Sequence, residues 1–133
     1  MADAKRAAGP TSRPLSPHLT IYRPQLTSIT SILVRITGNA LIVAALLIIW
    51  WFVAAASGPA AFARADYVIT SWVGKLVMLG SILALWYHLL GGIRHLIWDS
   101  GRMLDVKTSE QFGIFMLAGS VVLTLLTVLI LRG

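Results

Sequence analysis

The stretch HLLGGIRHLIWD runs from His88 to Asp99 and closes a long apolar run. It sets one histidine deep in that run and a second, His95, seven residues later, with Gly91 and Gly92 between them. An ionisable side chain inside a membrane span costs about 2.5–3.5 kcal/mol on insertion scales and marks a functional position by default. Ten residues separate His88 from Trp98, an aromatic suited to the membrane interface. At about 1.5 Å per residue, His88 then lies about 15 Å deep, near the midplane. A neutral imidazole there needs a partner for each ring nitrogen, and histidine is a common ligand of haem iron. A flat macrocycle would also need a neighbouring strip without side chains, which glycine supplies. The other reading is a histidine hydrogen-bonded to a serine or carbonyl of a neighbouring helix, with the glycines packing helices together. Spacing leaves both open. His88 supplies one axial ligand at most, so a six-coordinate haem would take its second ligand from another chain.

A second polar constellation is TSITSILVRITGN, residues 27–39. Ser31 and Arg35 are four residues apart and share a helix face, a stripe that Thr27 and Asn39 extend and Gly38 thins. Arg35 is either a snorkelling arginine among helix-bonded hydroxyls or part of a polar pocket near the interface. In such a pocket the arginine could steady an anion such as a propionate, and Ser31 could hydrogen-bond a carbonyl. The third group is Arg94, His95 and Asp99. These read most simply as interfacial and solvated, although His95 falls within about 20° of His88 around the helix and about 10 Å nearer the interface. Arg35 and His95 are expected at similar depth.

The elements that must position these residues follow from composition. Of 133 residues, 57% are hydrophobic and 12% charged. A soluble domain carries about 25% charged residues, so this chain belongs in a bilayer. Runs of about 20 apolar residues span one, and three are present, about 29–55, 68–98 and 112–131. The expectation is an all-α membrane protein with a tail and interfacial segment at 1–28 and a three-span domain at 29–133, joined by short connections. The third span carries only Ser120, Thr124 and Thr127 as polar groups, which can bond within their own helix. It reads as packing without chemistry.

The net charge of +6 is spread over span ends, which fits membrane topology rather than nucleic acid. Lys5, Arg6, Arg13 and Arg23 precede the first span, and Arg94, Arg102 and Lys107 flank the second connection. Basic flanks favour the cytoplasmic side, so the N-terminus is expected there. The first connection, with Arg64 alone, falls outside. Trp50, Trp51, Tyr67 and Trp72 suit the outer interface, and Lys75 can snorkel toward it. No cysteine is present, which excludes disulfides and iron–sulfur ligation by this chain. No removable signal peptide is expected. In the tail, RPLSPHLTIYRP holds three prolines, so an extended segment is expected, with Leu15, Leu19, Ile21 and Tyr22 as groups that could dock on a partner. Pro24 suits the first turn of the following helix.

Three segments together, RPLSPHLTIY, SILVRITG and HLLGGIRHLIWDSG, resemble the large cytochrome b membrane-anchor subunit of succinate:quinone oxidoreductase (complex II). The resemblance covers most of the chain. It implies a bundle completed by a smaller anchor subunit, with one haem b held between the two subunits and His88 as this chain's axial ligand. Ser31 and Arg35 match positions lining a ubiquinone site at the junction with the iron–sulfur subunit, and Arg35 and His95 are the candidate propionate contacts. Succinate would be oxidised at the FAD of the flavoprotein subunit and electrons would reach quinone through iron–sulfur clusters. This chain would then be non-catalytic toward succinate. One departure stands out: the family usually has histidine directly before the arginine of span one, and here that residue is Val34. The competing classes are a haemless structural anchor and a small transporter component. Against the latter stand the absence of an internal repeat and the small number of deep ionisable groups. Because the tail is too short to read as a transit peptide, the location expected is a bacterial inner membrane, with a mitochondrial inner membrane as the alternative.

Overall fold

The computed structural model describes Ile21 and residues 23–132, and the docking segment RPLSPHLTIY lies almost wholly outside them. All regular structure among the described residues is helical: α1 (Leu26–Ser57), α2 (Pro59–Thr70), α3 (Trp72–Asp99) and α4 (Val106–Arg132). Helices α1, α3 and α4 are each long and apolar enough to cross a membrane. A bilayer leaves no water for backbone groups, so a helix, which satisfies its own, is the form these runs must take.

Two details differ from the sequence expectation. The first connection is not a short link but the twelve-residue helix α2, and Val68 to Thr70 belong to it rather than to the second span. Gly58 makes the break before α2 with φ 120° and ψ 171°, a conformation open essentially to glycine alone. Pro59 then occupies the first helical turn, where its missing N–H leaves no helix bond unmade. Ser71 separates α2 from α3, its Oγ accepting from the Gly74 amide at 3.1 Å. A Cβ at Gly74 would collide with the Val68 and Ile69 carbonyls, so glycine is what lets α3 start against the last turn of α2. Secondly, Pro24 lies ahead of the N-cap Gln25 rather than within the first turn of α1.

The α3–α4 turn holds its shape through one carbonyl. Met103 adopts φ 57°, uncommon for a non-glycine residue. Its carbonyl accepts from Trp98 Nε1 at 3.1 Å and from Ser109 Oγ at 3.3 Å. Asp105 caps α4, accepting from the Thr108 amide at 2.9 Å. The Thr108 hydroxyl and amide together hold the Asp105 carboxyl below the usual carboxylate range. The cap is therefore complete near neutrality and is lost as pH falls through that lowered value.

Helix α3 packs between α1 and α4. Apolar contact gives little net drive between helices already in lipid, so close approach by small residues matters most. The buried positions fit that: Ala44 and Ala54 on α1, Ala84 and Gly91 on α3, and Gly113 on α4. Val34, Tyr87, Leu90 and Met116 form the packed centre. The hydroxyls of Ser120, Thr124 and Thr127 return to carbonyls of α4 itself, as expected for a packing helix. Thr127 also accepts from Trp86 Nε1 at 2.9 Å, a tie from α3 to α4 within the apolar region.

Candidate functional site

His88 stands on α3 where it faces α1. Its Nδ1 is 3.0 Å from the Val34 carbonyl oxygen. A carbonyl can only accept, so Nδ1 is the donor, and in the neutral imidazole Nε2 is then the nitrogen with the bare lone pair. Among the described residues, no hydrogen bond to Nε2 is made. The ring lies close over Gly38: a Cβ there would sit 2.9 Å from Cε1 and 3.3 Å from Nδ1. Gly38 thus gives the imidazole its seat on α1.

The glycine pair divides its work. Gly91 faces the packed centre, where a Cβ would meet Val34 Cγ2 at 2.5 Å and Met116 Cε at 3.2 Å. It is a helix-packing residue. Gly92 is exposed and a Cβ there would meet nothing within 4 Å. Gly92 and His95 share the His88 face of α3, at rotations of about 40° and 20°. The side-chain-free strip beside His88 is therefore Gly92 rather than the pair.

On α1, Ser31 and Arg35 lie on the same stripe as Gly38, about 10 Å and 5 Å toward the N-terminal end. Arg35 is exposed and Ser31 half-buried. Helices α1 and α3 run antiparallel, with Thr30 beside Arg94 and Val34 beside His88, so His95 falls at the same end as Ser31 and Arg35. His95 is exposed, its ring edge-on to Trp98 at 5.4 Å between centroids. Asn39, which extends the stripe, donates to the Arg35 carbonyl at 2.9 Å.

Arg94 departs from the sequence reading. It is not solvated at the interface but 1% exposed. Its Nη1 donates to Thr30 Oγ at 3.0 Å, and its guanidinium carbon lies 4.4 Å from the Trp98 ring centroid. Nε and Nη2 are buried without a hydrogen-bond partner. Thr30 is fully buried, and its carbonyl accepts from the Tyr87 hydroxyl at 3.0 Å. Arg94, Thr30 and Tyr87 thus join α3 to α1 through a buried polar knot that residue types had not disclosed. The available signal was spacing: Ala84, Tyr87, Gly91 and Arg94 fall at intervals of three, four and three, the period of a packed helix face.

Three helices long and apolar enough to cross a membrane, with a carbonyl-held histidine between two of them, define a helical integral membrane protein. Residues 10–127 match the family model for the succinate dehydrogenase/fumarate reductase transmembrane subunit, and the chain belongs to that family. It is 50% identical over 130 residues to the succinate dehydrogenase cytochrome b556 subunit of Paracoccus denitrificans, covering 98% of this chain and 97% of that one. The cytochrome b556 subunit of Rickettsia conorii is 40% identical over 86% of this chain and 89% of its own. The cytochrome b560 subunit of Chondrus crispus is 36% identical over 80% and 87% respectively. The expected family is therefore borne out: the chain is a cytochrome b-type membrane anchor of succinate dehydrogenase. With its three crossing helices and bacterial relatives, it is a multi-pass protein of a bacterial inner membrane.

Proposed function

We propose that this chain holds one haem b jointly with the small anchor subunit of succinate dehydrogenase and lines part of the ubiquinone-reduction site. His88 would hold the haem iron from this side, and the small anchor would supply the second ligand. The observation that carries the reading is the Nδ1 contact to the Val34 carbonyl. It selects the tautomer whose Nε2 is free to bind iron, the arrangement that metal-ligating histidines generally use. The same bond would suit a histidine that only packs helices. What favours ligation is the second nitrogen, which has no hydrogen-bond partner among the described residues, and the open face at Gly92 on the same side of α3.

Haem b, when bound, supplies a one-electron redox centre. This chain's residues supply the rest: His88 a neutral nitrogen donor, Gly38 the room for its ring, Gly92 a surface without side chains. Arg35 of α1 and His95 of α3, at the same end of the bundle, would meet the propionates. Ser31 and Arg35 hydrogen-bond a ubiquinone carbonyl near the cytoplasmic interface, where the protons consumed by reduction can come from water. The N-terminus is cytoplasmic, as the basic flanks require. The chain does not touch succinate. FAD and the iron–sulfur clusters reside in the flavoprotein and iron–sulfur subunits, on which the tail segment RPLSPHLTIY docks.

The test is a reduced-minus-oxidised visible spectrum of the four-subunit complex. The native complex is expected to show a sharp b-type α band that His88→Ala abolishes. An unchanged band in an assembled His88→Ala complex would refute the ligand assignment. No band in an intact native complex would leave a haemless anchor.

A further inference from the structure

Thr37 lies one turn of α1 beyond Val34, beside the His88 ring. Its Oγ is 2.8 Å from the Leu33 carbonyl oxygen, 3.0 Å from that of Val34 and 3.5 Å from His88 Nδ1. A threonine hydroxyl has one proton and two lone pairs. Because Nδ1 already carries its proton toward Val34, the hydroxyl can only act as an acceptor toward His88. Its own proton goes to a carbonyl of its helix, and the Leu33 contact is the shorter. The Nδ1–H group therefore sits between two oxygens, the Val34 carbonyl at 3.0 Å and the Thr37 hydroxyl at 3.5 Å. Bonding to its own helix limits Thr37 to few rotamers, which keeps that lone pair beside the ring.

We propose that Thr37 is a positioning residue for the haem ligand, which holds His88 in the Nδ1–H tautomer and strengthens Nε2 as a donor, lowering the midpoint potential of the haem. The inference rests on haem ligation by His88. Its physical basis is that acceptors near Nδ1–H draw the proton outward and leave the ring richer in electrons. A more basic imidazole favours ferric over ferrous iron, and outer hydrogen bonds are among the levers by which a protein sets a haem potential. Gly38 supports the same geometry, since a side chain there would push the ring away from both oxygens.

The experiment is a redox titration of the haem band in the assembled complex carrying Thr37→Val, Thr37→Ser or Thr37→Ala. Valine keeps the shape and removes the oxygen, so Thr37→Val is expected to retain the band and shift the midpoint potential upward. Thr37→Ser restores the oxygen and is expected to return the potential to the native value. A native potential in Thr37→Val with full haem content overturns the proposal, as does an equal shift in Thr37→Val and Thr37→Ser. Should Thr37→Val not assemble, Thr37→Ala carries the same prediction. Failure of both to assemble would make Thr37 a packing residue and overturn its tuning role. A native complex without haem would instead defeat the reading on which the proposal rests, so the two failures are distinguishable.

Discussion

Arg94 shows how much of a residue's role depends on its rotation about a helix. Its neighbour His95 is exposed, whereas Arg94, one position earlier, is 1% exposed. Two buried donors of a charged group without partners oppose burial by about 1–3 kcal/mol each or more. Against them stand one charge-assisted hydrogen bond of about 1.5–3 kcal/mol and a desolvated cation–π contact of about 2 kcal/mol. These nearly cancel, so shape should matter more than charge. Arg94→Met is expected to change the thermal stability of the purified complex by less than about 1 kcal/mol, because methionine fills irregular space at little strain. Arg94→Ala should lower it by about 2–5 kcal/mol, the usual cost of truncating a large buried side chain. A Met variant as unstable as the Ala variant would show that the guanidinium's charge outweighs its volume. The histidine, arginine and serine that suggested chemistry were legible from residue type and spacing. Arg94, Thr30 and Tyr87 were not, because a polar group's burial depends on which neighbour covers it.

At the scale of elements, the three crossing helices could be read from apolar run length, since a bilayer tolerates little else. Their ends could not. Val68 to Thr70 continue the apolar run of the second span, yet the Ser71 cap and the tight contact at Gly74 make them the end of α2. The signals for α2, Gly58 followed by Pro59, were present but competed with an expectation of short connections. The two adjacent glycines of α3 make a further prediction. Gly91→Ala presses a methyl group against Val34, whose branched side chain is stiff, and should weaken helix packing by about 1–3 kcal/mol. Gly92→Ala meets nothing within 4 Å among the described residues, so it should leave helix packing intact; its methyl would stand on the face proposed for the haem and should lower haem content instead. Thermal unfolding and haem content of both variants in the complex check the contrast; equal effects on both readouts would mean that the two faces of α3 are equivalent.

For the whole molecule, the outer faces of the three crossing helices are rich in exposed apolar side chains, among them Ile42, Leu46, Leu85, Leu89, Val122 and Leu125. Such a surface suits lipid or a neighbouring membrane subunit and not water. The Ser31–Arg35 end, which His95 shares, carries charged and polar groups near the His88 face. If that end lines the quinone site, Ser31→Ala and Arg35→Ala should each slow ubiquinone reduction at least about tenfold, equivalent to about 1.4 kcal/mol of transition-state stabilisation. Succinate oxidation by artificial acceptors should be preserved. Normal quinone kinetics in both variants would remove these residues from the site.

The sequence by itself determined a helical membrane protein, the number of crossings and the family, because run length and three dispersed motifs are properties of the chain read in one dimension. Helix periodicity also determined that His88, Gly92 and His95 share one face and that Ser31, Arg35 and Gly38 share another. The tertiary structure alone decided that these faces meet, with the His88 ring over Gly38 and its Nδ1 on the Val34 carbonyl. It separated Gly91 from Gly92 and buried Arg94 against Thr30. Periodicity fixes angles within a helix, whereas contacts across helices depend on their relative rotation and depth, which small-residue packing sets.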